Sequence, residues 1–558
     1  MNYKRFAWVA LITVTISAGP SPATMPASAL QDALRNRIES GGIPLKISVG
    51  DEMIYSSIVL PMFYERRIFQ AAWSNEGGPS PQVDSLLKAI RNADLEGLRS
   101  SDYHLEKIET VLAEIRRHQE KQEPLDPRPL VDLDLLLTDA FLIFGSHLLA
   151  GRVDPKTVDA QWHVNRREAD LAGILEQALA SDQIEPMLRS LLPTNSGYGR
   201  LRQELARYRE IDAGGGWPSV PDGSKLQKGD RGERVSALRN RLAAEGFLEN
   251  LSSNDDPTFD DALDRALRKF QSQNGLEPDG VVGPQSTKAL NVSPDERINR
   301  IIANMERWRW LPQELGNRYI LVNIAGFYLK LIEDGQLALD MRVVTGKPYR
   351  RTPVFSSTMT YLVMNPSWTV PHSIAVKDIL PKIKKDPTYP SSQKIKVLQG
   401  WGANTIEIDP AGVNWPEISA ANFNYRFRQE PGPLNALGRI KFMFPNQFDV
   451  YLHDTPSRDL FGKARRAFSS GCIRIEKPLE LAEYLLRNDR DWPPEKIRAK
   501  VTGTDITEQT VKLPEPIQVY LLYWTVWIDP NNQIHFSPDI YGRDKSLAAA
   551  LNKPPPER

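Results

Sequence analysis

The spacing of apolar residues changes along this chain, and that change limits the fold more than any single motif does. Up to about Arg209 apolar positions recur near every 3.6 residues, as in the segment Val83 to Ile90 and again from Leu201 to Tyr208, which predicts helices. From Arg318 the period falls to two. Tyr319 to Ala325 and Tyr328 to Ile332, joined through Gly326, read as a β-hairpin, and Leu339 to Thr345 and Met359 to Asn365 continue the alternation. Between the two regimes lies Asp212-Ala-Gly-Gly-Gly-Trp-Pro-Ser-Val-Pro-Asp-Gly, whose glycines and prolines neither extend a helix nor fill a core, so a boundary belongs there. With 558 residues the chain is long enough for three or four domains. The expected class is multidomain α+β.

Charge removes some function classes. Seventy Lys and Arg balance seventy Asp and Glu, so no global field attracts nucleic acid or an anionic membrane. A single cysteine, Cys472, rules out an intramolecular disulfide and any Cys-rich metal knuckle. His104, His118, His147 and His163 share no spacing and read as structural residues, not ligands.

The N-terminus pairs Lys4 and Arg5 with an apolar run from Phe6 to Ala18, then prolines and Ala27-Ser28-Ala29, the pattern of a secretory signal cleaved after Ala29. Residues 1–29 are therefore assigned as a signal peptide, and as a membrane anchor if uncleaved. A second apolar run, Leu130 to Ala150, carries Asp132, Asp134 and Asp139, which are costly in lipid, so it reads as a buried helix. Residues 30–211 then form a helical scaffold. From Lys228 a compact unit of three short helices follows, with Val235, Leu238 and Leu242 on one face, Leu263, Leu267 and Phe270 on the next, and Pro284 opening the third. The Gly229…Gly232…Val235…Leu238…Leu242 pattern and the Asp279-Gly280-Val281-Val282-Gly283-Pro284 turn resemble the peptidoglycan-binding domain of cell-wall enzymes, placed at 225–291.

Residues 371–438 are irregular and hold Lys377, Lys382, Lys384, Lys385, Lys394 and Lys396, either a basic lid over an acidic substrate or, more simply, a solvated face. Near the C-terminus Asp529-Pro530-Asn531-Asn532 is a hairpin turn between Ile517 to Ile528 and Gln533 to Phe536. Residues 503–558 are expected to form an extension that packs back on the scaffold.

The chemistry concentrates between Ile440 and Arg474. Ile440 to Phe444, a Pro445-Asn446-Gln447 turn and Phe448 to His453 read as two strands, so alternation puts Tyr451 and His453 on one side. Cys472 lies in Ser469-Ser470-Gly471-Cys472-Ile473-Arg474, a glycine turn before an apolar helical repeat, with Arg465, Arg466 and Arg474 close in sequence. Such surroundings predict a lowered thiol pKa, and nucleophile with base is the pair that covalent catalysis needs. Asp454 points to the opposite side of an ideal strand, which leaves a backbone carbonyl to orient the histidine.

Ser470-Gly471-Cys472-Ile473-Arg474 preceded by Tyr451-Leu-His453-Asp-Thr-Pro resembles the active-site signature of L,D-transpeptidases with a YkuD-type catalytic domain, in particular the large YcbB-like branch. Asn365-Pro-Ser-Trp368-Thr-Val-Pro, Arg428 to Gly438 and Lys441-Phe-Met-Phe-Pro-Asn446 extend the resemblance, which covers nearly all of the chain after the signal. It implies a mainly β catalytic domain at 317–502 with a lid insertion at about 372–437. It also implies periplasmic acyl transfer on peptidoglycan stem peptides in cell wall biogenesis. In that reaction Cys472 attacks the third residue of a tetrapeptide stem, expels D-Ala and leaves a thioester, which the side-chain amine of a neighbouring stem resolves into a 3→3 cross-link. His453 is the implied base. Tyr451 either orients His453 or polarises the tetrahedral oxygen, which the N–H groups of Gly471 and Cys472 also serve; Arg474 either holds a substrate carboxylate or neutralises the thiolate, and Ser470, Trp368 and Asn446 contact substrate. Many relatives carry His where this chain has Ser470. The resemblance implies no metal or organic cofactor, and peptidoglycan, with other wall-synthesis enzymes, as partner. An L,D-carboxypeptidase or cross-link hydrolase on the same site and a non-catalytic wall-binding scaffold are the alternatives. A papain-like protease is disfavoured, because no Asn/His pair follows the cysteine at that spacing.

Overall fold

The computed structural model describes residues 27–43, 46–75, 77–122, 126–159, 162–164, 166–248 and 257–555. All but the last three residues of the expected signal peptide lie outside these; Ala27 to Ala29 form the start of a helix, Ala27–Glu39.

The apolar run reads correctly as a core helix. Helix α1 (Pro127–Ala150) starts at an Asp126 cap that accepts the Arg128 N–H, has proline in its first turn and ends at Gly151, where φ is +77°. Its two central carboxylates are fully buried and hold loops in place. Asp134 accepts from the N–H of Ala72 (2.6 Å) and Trp73 (3.1 Å) and from the hydroxyls of Ser74 (2.8 Å) and Tyr64 (2.9 Å). Asp139 accepts from the N–H of Tyr55 and Ser56 and meets His104 Nε2 at 2.8 Å. Buried carboxylates satisfied by this many donors are tolerable in a protein interior and would not be in lipid.

The core around α1 runs from Leu30 to Leu191, short of the expected scaffold end at 211. Helix α2 (Ser196–Ala213) buries Tyr198, Leu201, Leu205 and Tyr208 in the catalytic core instead, because its apolar stripe meets helix α6, defined below. The three-helix unit forms as expected, with α3 (Glu233–Ala244), α4 (Asp261–Gln273) and α5 (Pro284–Leu290) around Val235, Leu238, Leu263, Phe270 and Leu290. It is docked against the rest of the chain: Glu277 accepts the Ala464 N–H at 2.6 Å, Gln273 donates to Gln533 at 2.8 Å, and Glu245 accepts from Tyr208 at 2.8 Å. Helix α6 (Pro294–Arg309) then leads into the sheet.

The sheet strands are β1 (Arg318–Asn323), β2 (Tyr328–Glu333), β3 (Gln336–Gly346), β4 (Val354–Met364), β5 (Trp368–Thr369), β6 (Ile395–Gln399), β7 (Ile406–Ile408), β8 (Tyr425–Gln429), β9 (Ile440–Met443), β10 (Leu452–His453), β11 (Ala467–Ser469), β12 (Ile473–Ile475) and β13 (Gln509–Leu522). The main sheet runs β9-β10-β12-β3-β2-β1-β13-β4, and β4 pairs back onto β9, so the path closes on itself. The β1–β2 hairpin and strands β3 and β4 fall where alternation placed them. The C-terminal extension is corrected in part: β13 is an inner strand, parallel to β1 and antiparallel to β4, and belongs to the catalytic sheet. Beyond it, the hairpin Val526–Ile528 with Ile534–Phe536 packs on α2 and α6, and the helix Arg543–Leu551 with the residues after it meets the scaffold, where Arg99 donates to the Lys553 carbonyl at 3.1 Å and Arg543 pairs with Asp159 at 2.6 Å. The lid has its own core, including Val370, Leu380, Val397, Trp415 and Phe427, beneath the sheet β5-β8-β6-β7.

Candidate active site

Strand register assembles the site. In β9 Lys441 lies opposite His453 of β10, and His453 lies opposite Arg474 of β12, so the three form one row across adjacent strands on one face. Tyr451 and Cys472 each sit two residues before a member of this row. The second predicted strand is shorter than expected: residues 448–451 are a loop with Asp449 at φ +52°, and only Leu452 and His453 pair. Tyr451 still shares the His453 side, with the rings edge to face at 5.6 Å.

His453 is almost fully buried, and its Nδ1 lies 2.5 Å from the Asp454 carbonyl. A carbonyl only accepts, so Nδ1 carries the proton and Nε2 keeps a free lone pair. Burial, then the Arg474 guanidinium, then the Lys441 ammonium push the imidazole pKa down to about 3, against the pull of the Asp454 carbonyl. At neutral pH it is a neutral base. The Asp454 carboxylate faces away, as the alternation predicts, and accepts the Arg439 N–H at 2.8 Å.

The cysteine turn is followed by a helix as expected, and its thiol differs from expectation. Cys472 lies in a bend between β11 and β12, and the expected helix, Pro478–Leu485, follows after β12. The thiol pKa, by contrast, is raised. Burial outweighs the Tyr451 N–H, the Tyr451 hydroxyl and Lys441, all of which favour the thiolate, and Asp449 adds to the rise. The Sγ rests 3.7 Å from the Asp449 carbonyl. Of the arginines close in sequence, Arg466 is spent on the carbonyls of Val343, Lys463 and Phe327, Arg465 is exposed, and only Arg474 acts on Cys472. Its Nε is buried with no hydrogen-bond partner among the described residues.

The turn is braced from the far end of the chain. Ser469 Oγ donates to the Cys472 carbonyl (2.5 Å) and accepts the Gly471 N–H (3.1 Å), so that N–H is not open to an oxyanion. The Cys472 N–H carries no such bond among the described residues. Thr352 Oγ1 donates to the Gly471 carbonyl (2.8 Å) and accepts the Gly346 N–H (3.0 Å). Tyr541 OH accepts the Thr352 N–H (3.0 Å) and donates to the Gly346 carbonyl (2.8 Å). Gly471 itself has φ +123°, a conformation side chains resist. Neither Thr352 nor Tyr541 carries a local sequence signal.

The lid reaches the site through two residues other than its lysines. Trp368 acts as donor on the Tyr451 hydroxyl, which in turn favours the Cys472 thiolate. Asp378 pairs with Arg350, whose guanidinium also donates to Ser470 Oγ at 2.8 Å. All the lid lysines singled out above are exposed except Lys396, which is half-buried and pairs with Glu407. Asn446 is corrected. Its amide donates to the carbonyls of Phe444 and Val450 (both 2.7 Å) and its oxygen accepts from Phe448 and Val450, so it folds the loop before Tyr451 and has no group left for substrate.

A buried neutral imidazole, the single thiol and a guanidinium whose Nε has no hydrogen-bond partner among the described residues thus meet on one face of a closed sheet. Residues 317–506 match the family described as "L,D-transpeptidase catalytic domain", residues 231–290 the "Putative peptidoglycan binding domain" and residues 59–205 the "Scaffold domain". The chain thus carries a YkuD-type L,D-transpeptidase catalytic domain joined to a peptidoglycan-binding domain. A curated protein of Haemophilus influenzae described as "Putative L,D-transpeptidase" is 37% identical over 262 residues; the alignment covers 47% of this chain and about half (51%) of that protein. Among solved structures, an L,D-transpeptidase of Xylanimonas cellulosilytica is 14% identical and covers 54% of this chain and 99% of its own (TM-score 0.16). One of Stackebrandtia nassauensis is 12% identical and covers 55% and 96% (TM-score 0.21). At these TM-scores neither bears on fold or chemistry.

Proposed function

We propose that this protein is an extracytoplasmic peptidoglycan L,D-transpeptidase that forms 3→3 cross-links through a Cys472 thioester. The observation that carries the reading is the pairing of the lone thiol with an imidazole whose Nδ1 is fixed on a backbone carbonyl and whose Nε2 is free, within a matched catalytic domain.

The protonation states dictate the order of events. Thiol and imidazole are both neutral at rest, so the proton must move as the nucleophile attacks. Cys472 Sγ bonds to the carbonyl carbon of the third stem residue while its hydrogen passes to His453 Nε2, and the carbonyl π pair moves to oxygen. The oxyanion is stabilised by the Cys472 N–H and by the Tyr451 hydroxyl. The carbon–nitrogen bond breaks, D-Ala leaves with the proton from His453, and a thioester remains. The amine of a second stem attacks the thioester, His453 takes its proton, and the departing sulfur recovers it. Arg474, with no protein partner at Nε, suits a stem carboxylate. Trp368 and the Arg350–Asp378 contact hold the lid over the thioester, which favours an amine acceptor over water and so transfer over hydrolysis.

Incubation of purified protein with disaccharide-tetrapeptide and mass spectrometry of the products tests this. Cross-linked dimers that disappear in Cys472→Ala are expected. Dimers that persist in the mutant refute the cysteine mechanism, and tripeptide as the sole product replaces transfer with hydrolysis.

A further inference from the structure

His453 lies between Lys441 and Arg474 in the row across β9, β10 and β12, and so cannot supply the positive charge that a cysteine thiolate usually borrows from its histidine. Another cation must do so. Lys441 has the placement: its Nζ stands 4.0 Å from the centre of the Tyr451 ring, over the residue whose hydroxyl acts on Cys472. The side chain is half-buried, and no carboxylate lies within salt-bridge distance of it among the described residues. The charged and titratable groups around it are His453 and Tyr451 on the β10 side, Asp449 in the preceding loop, Glu508 just before β13, and Cys472; opposite on β4 stands the apolar Val363. Glu508 is itself occupied by the N–H and hydroxyl of Ser367, both at 2.6 Å. A desolvated ammonium held over an aromatic face without a carboxylate partner is costly unless another negative charge forms nearby. Here that charge is the thiolate.

We propose that Lys441 is the counter-cation of the Cys472 thiolate, a positioning residue that acts across the Tyr451 ring and lets His453 stay neutral at rest, ready to take the thiol proton. This rests on the reading of Cys472 as the nucleophile. It moves the positive charge from the histidine, and from Arg465 and Arg466, to a residue about thirty positions earlier that acts beside Arg474.

The test reads the thiol itself, so it does not depend on whether stems are cross-linked. With one cysteine in the chain, reaction with 2,2′-dipyridyl disulfide reports Cys472 alone: the thiolate attacks one sulfur, a mixed disulfide forms, and pyridine-2-thione leaves with the electron pair. If Lys441→Met raises the thiol pKa by about one unit, the thiolate fraction at neutral pH falls about tenfold. Intrinsic nucleophilicity rises about threefold, because rate follows thiol basicity with a slope of about 0.4–0.5. The net result is about threefold slower reaction at neutral pH and about threefold faster reaction above both pKa values, so the two pH–rate profiles cross. Lys441→Arg should restore the wild-type profile. Merely structural damage changes the rate in one direction at every pH, and a profile that does not move in Lys441→Met overturns the proposal. Should that variant not fold, the reciprocal measurement on the unmutated protein decides. Capping Cys472 as a neutral S-methyl disulfide must lower the pKa of the Lys441 ammonium followed by 15N NMR, and an unmoved ammonium overturns the proposal equally.

Discussion

Replacing Thr352 by valine keeps shape and volume and deletes one hydroxyl that two buried backbone groups depend on. The residue is fully buried; its Oγ1 donates to the Gly471 carbonyl at 2.8 Å and accepts the Gly346 N–H at 3.0 Å. Valine leaves both groups without a partner, at about 1–3 kcal/mol each, less a small gain from the added methyl, so a loss of about 2–4 kcal/mol is expected. For a catalytic unit of this size that lowers Tm by about 2–4 °C per kcal/mol. The functional effect should be larger than the stability loss suggests, because the freed carbonyl belongs to the residue before Cys472. A displacement of the nucleophile by about 1 Å costs about 10²-fold in rate. Calorimetry gives the Tm shift, and single-turnover thioester formation followed by intact-protein mass spectrometry gives the rate. Tyr541→Phe should reproduce part of the effect, and the double variant should lose less than the two singles together, because both act through Gly346. A Thr352→Val protein with unchanged Tm and unchanged acylation would refute the idea that the Thr352 hydroxyl holds the cysteine turn.

Other consequences are open to measurement. His453 titrates near 3 in the folded protein and near 6.5 when unfolded, so between these values the unfolded state binds the extra proton; stability is full above pH 6.5 and falls as pH drops, by up to about 1.4 kcal/mol per unit. His453→Gln should flatten that part of the Tm–pH curve, and an unaltered slope would contradict the neutral, buried imidazole. Gly471→Ala meets no atom closer than 3.8 Å at its new Cβ, so its cost is the backbone strain of φ +123°, about 1–3 kcal/mol, read as slower acylation and a lowered Tm; wild-type values would show that the turn tolerates side chains. Arg350→Ala removes both the Asp378 pair and the Ser470 bond, and a bulky maleimide should then label Cys472 several-fold faster; an unchanged rate would mean that these contacts do not hold the lid.

Several features of this protein were fixed locally and could be read along the chain. The change of apolar period separates helical from β regions, the first β-hairpin and the Asp529–Asn532 turn follow from two-residue alternation and turn chemistry, and Tyr451 and His453 do face together, although Tyr451 lies in the loop just before the strand. Even the histidine's backbone partner follows from that geometry. What tertiary structure alone decided depends on which segments meet. Alternation in β13 marks a strand without naming its neighbours, so its place between β1 and β4 was hidden, as was the joining of α2 to the catalytic core. Asn446 looks like an exposed polar turn residue until the loop closes around its amide. The thiol shows the limit most directly: adjacent arginines suggest a lowered pKa, but desolvation depends on everything packed around the sulfur, and here it outweighs them. Thr352 and Tyr541 lie about 120 and 70 residues from Cys472 and carry no local signal, and Lys441, about 30 residues away, sits in a recognisable motif that says nothing of its role, because what gives each its role is a partner brought near by the fold.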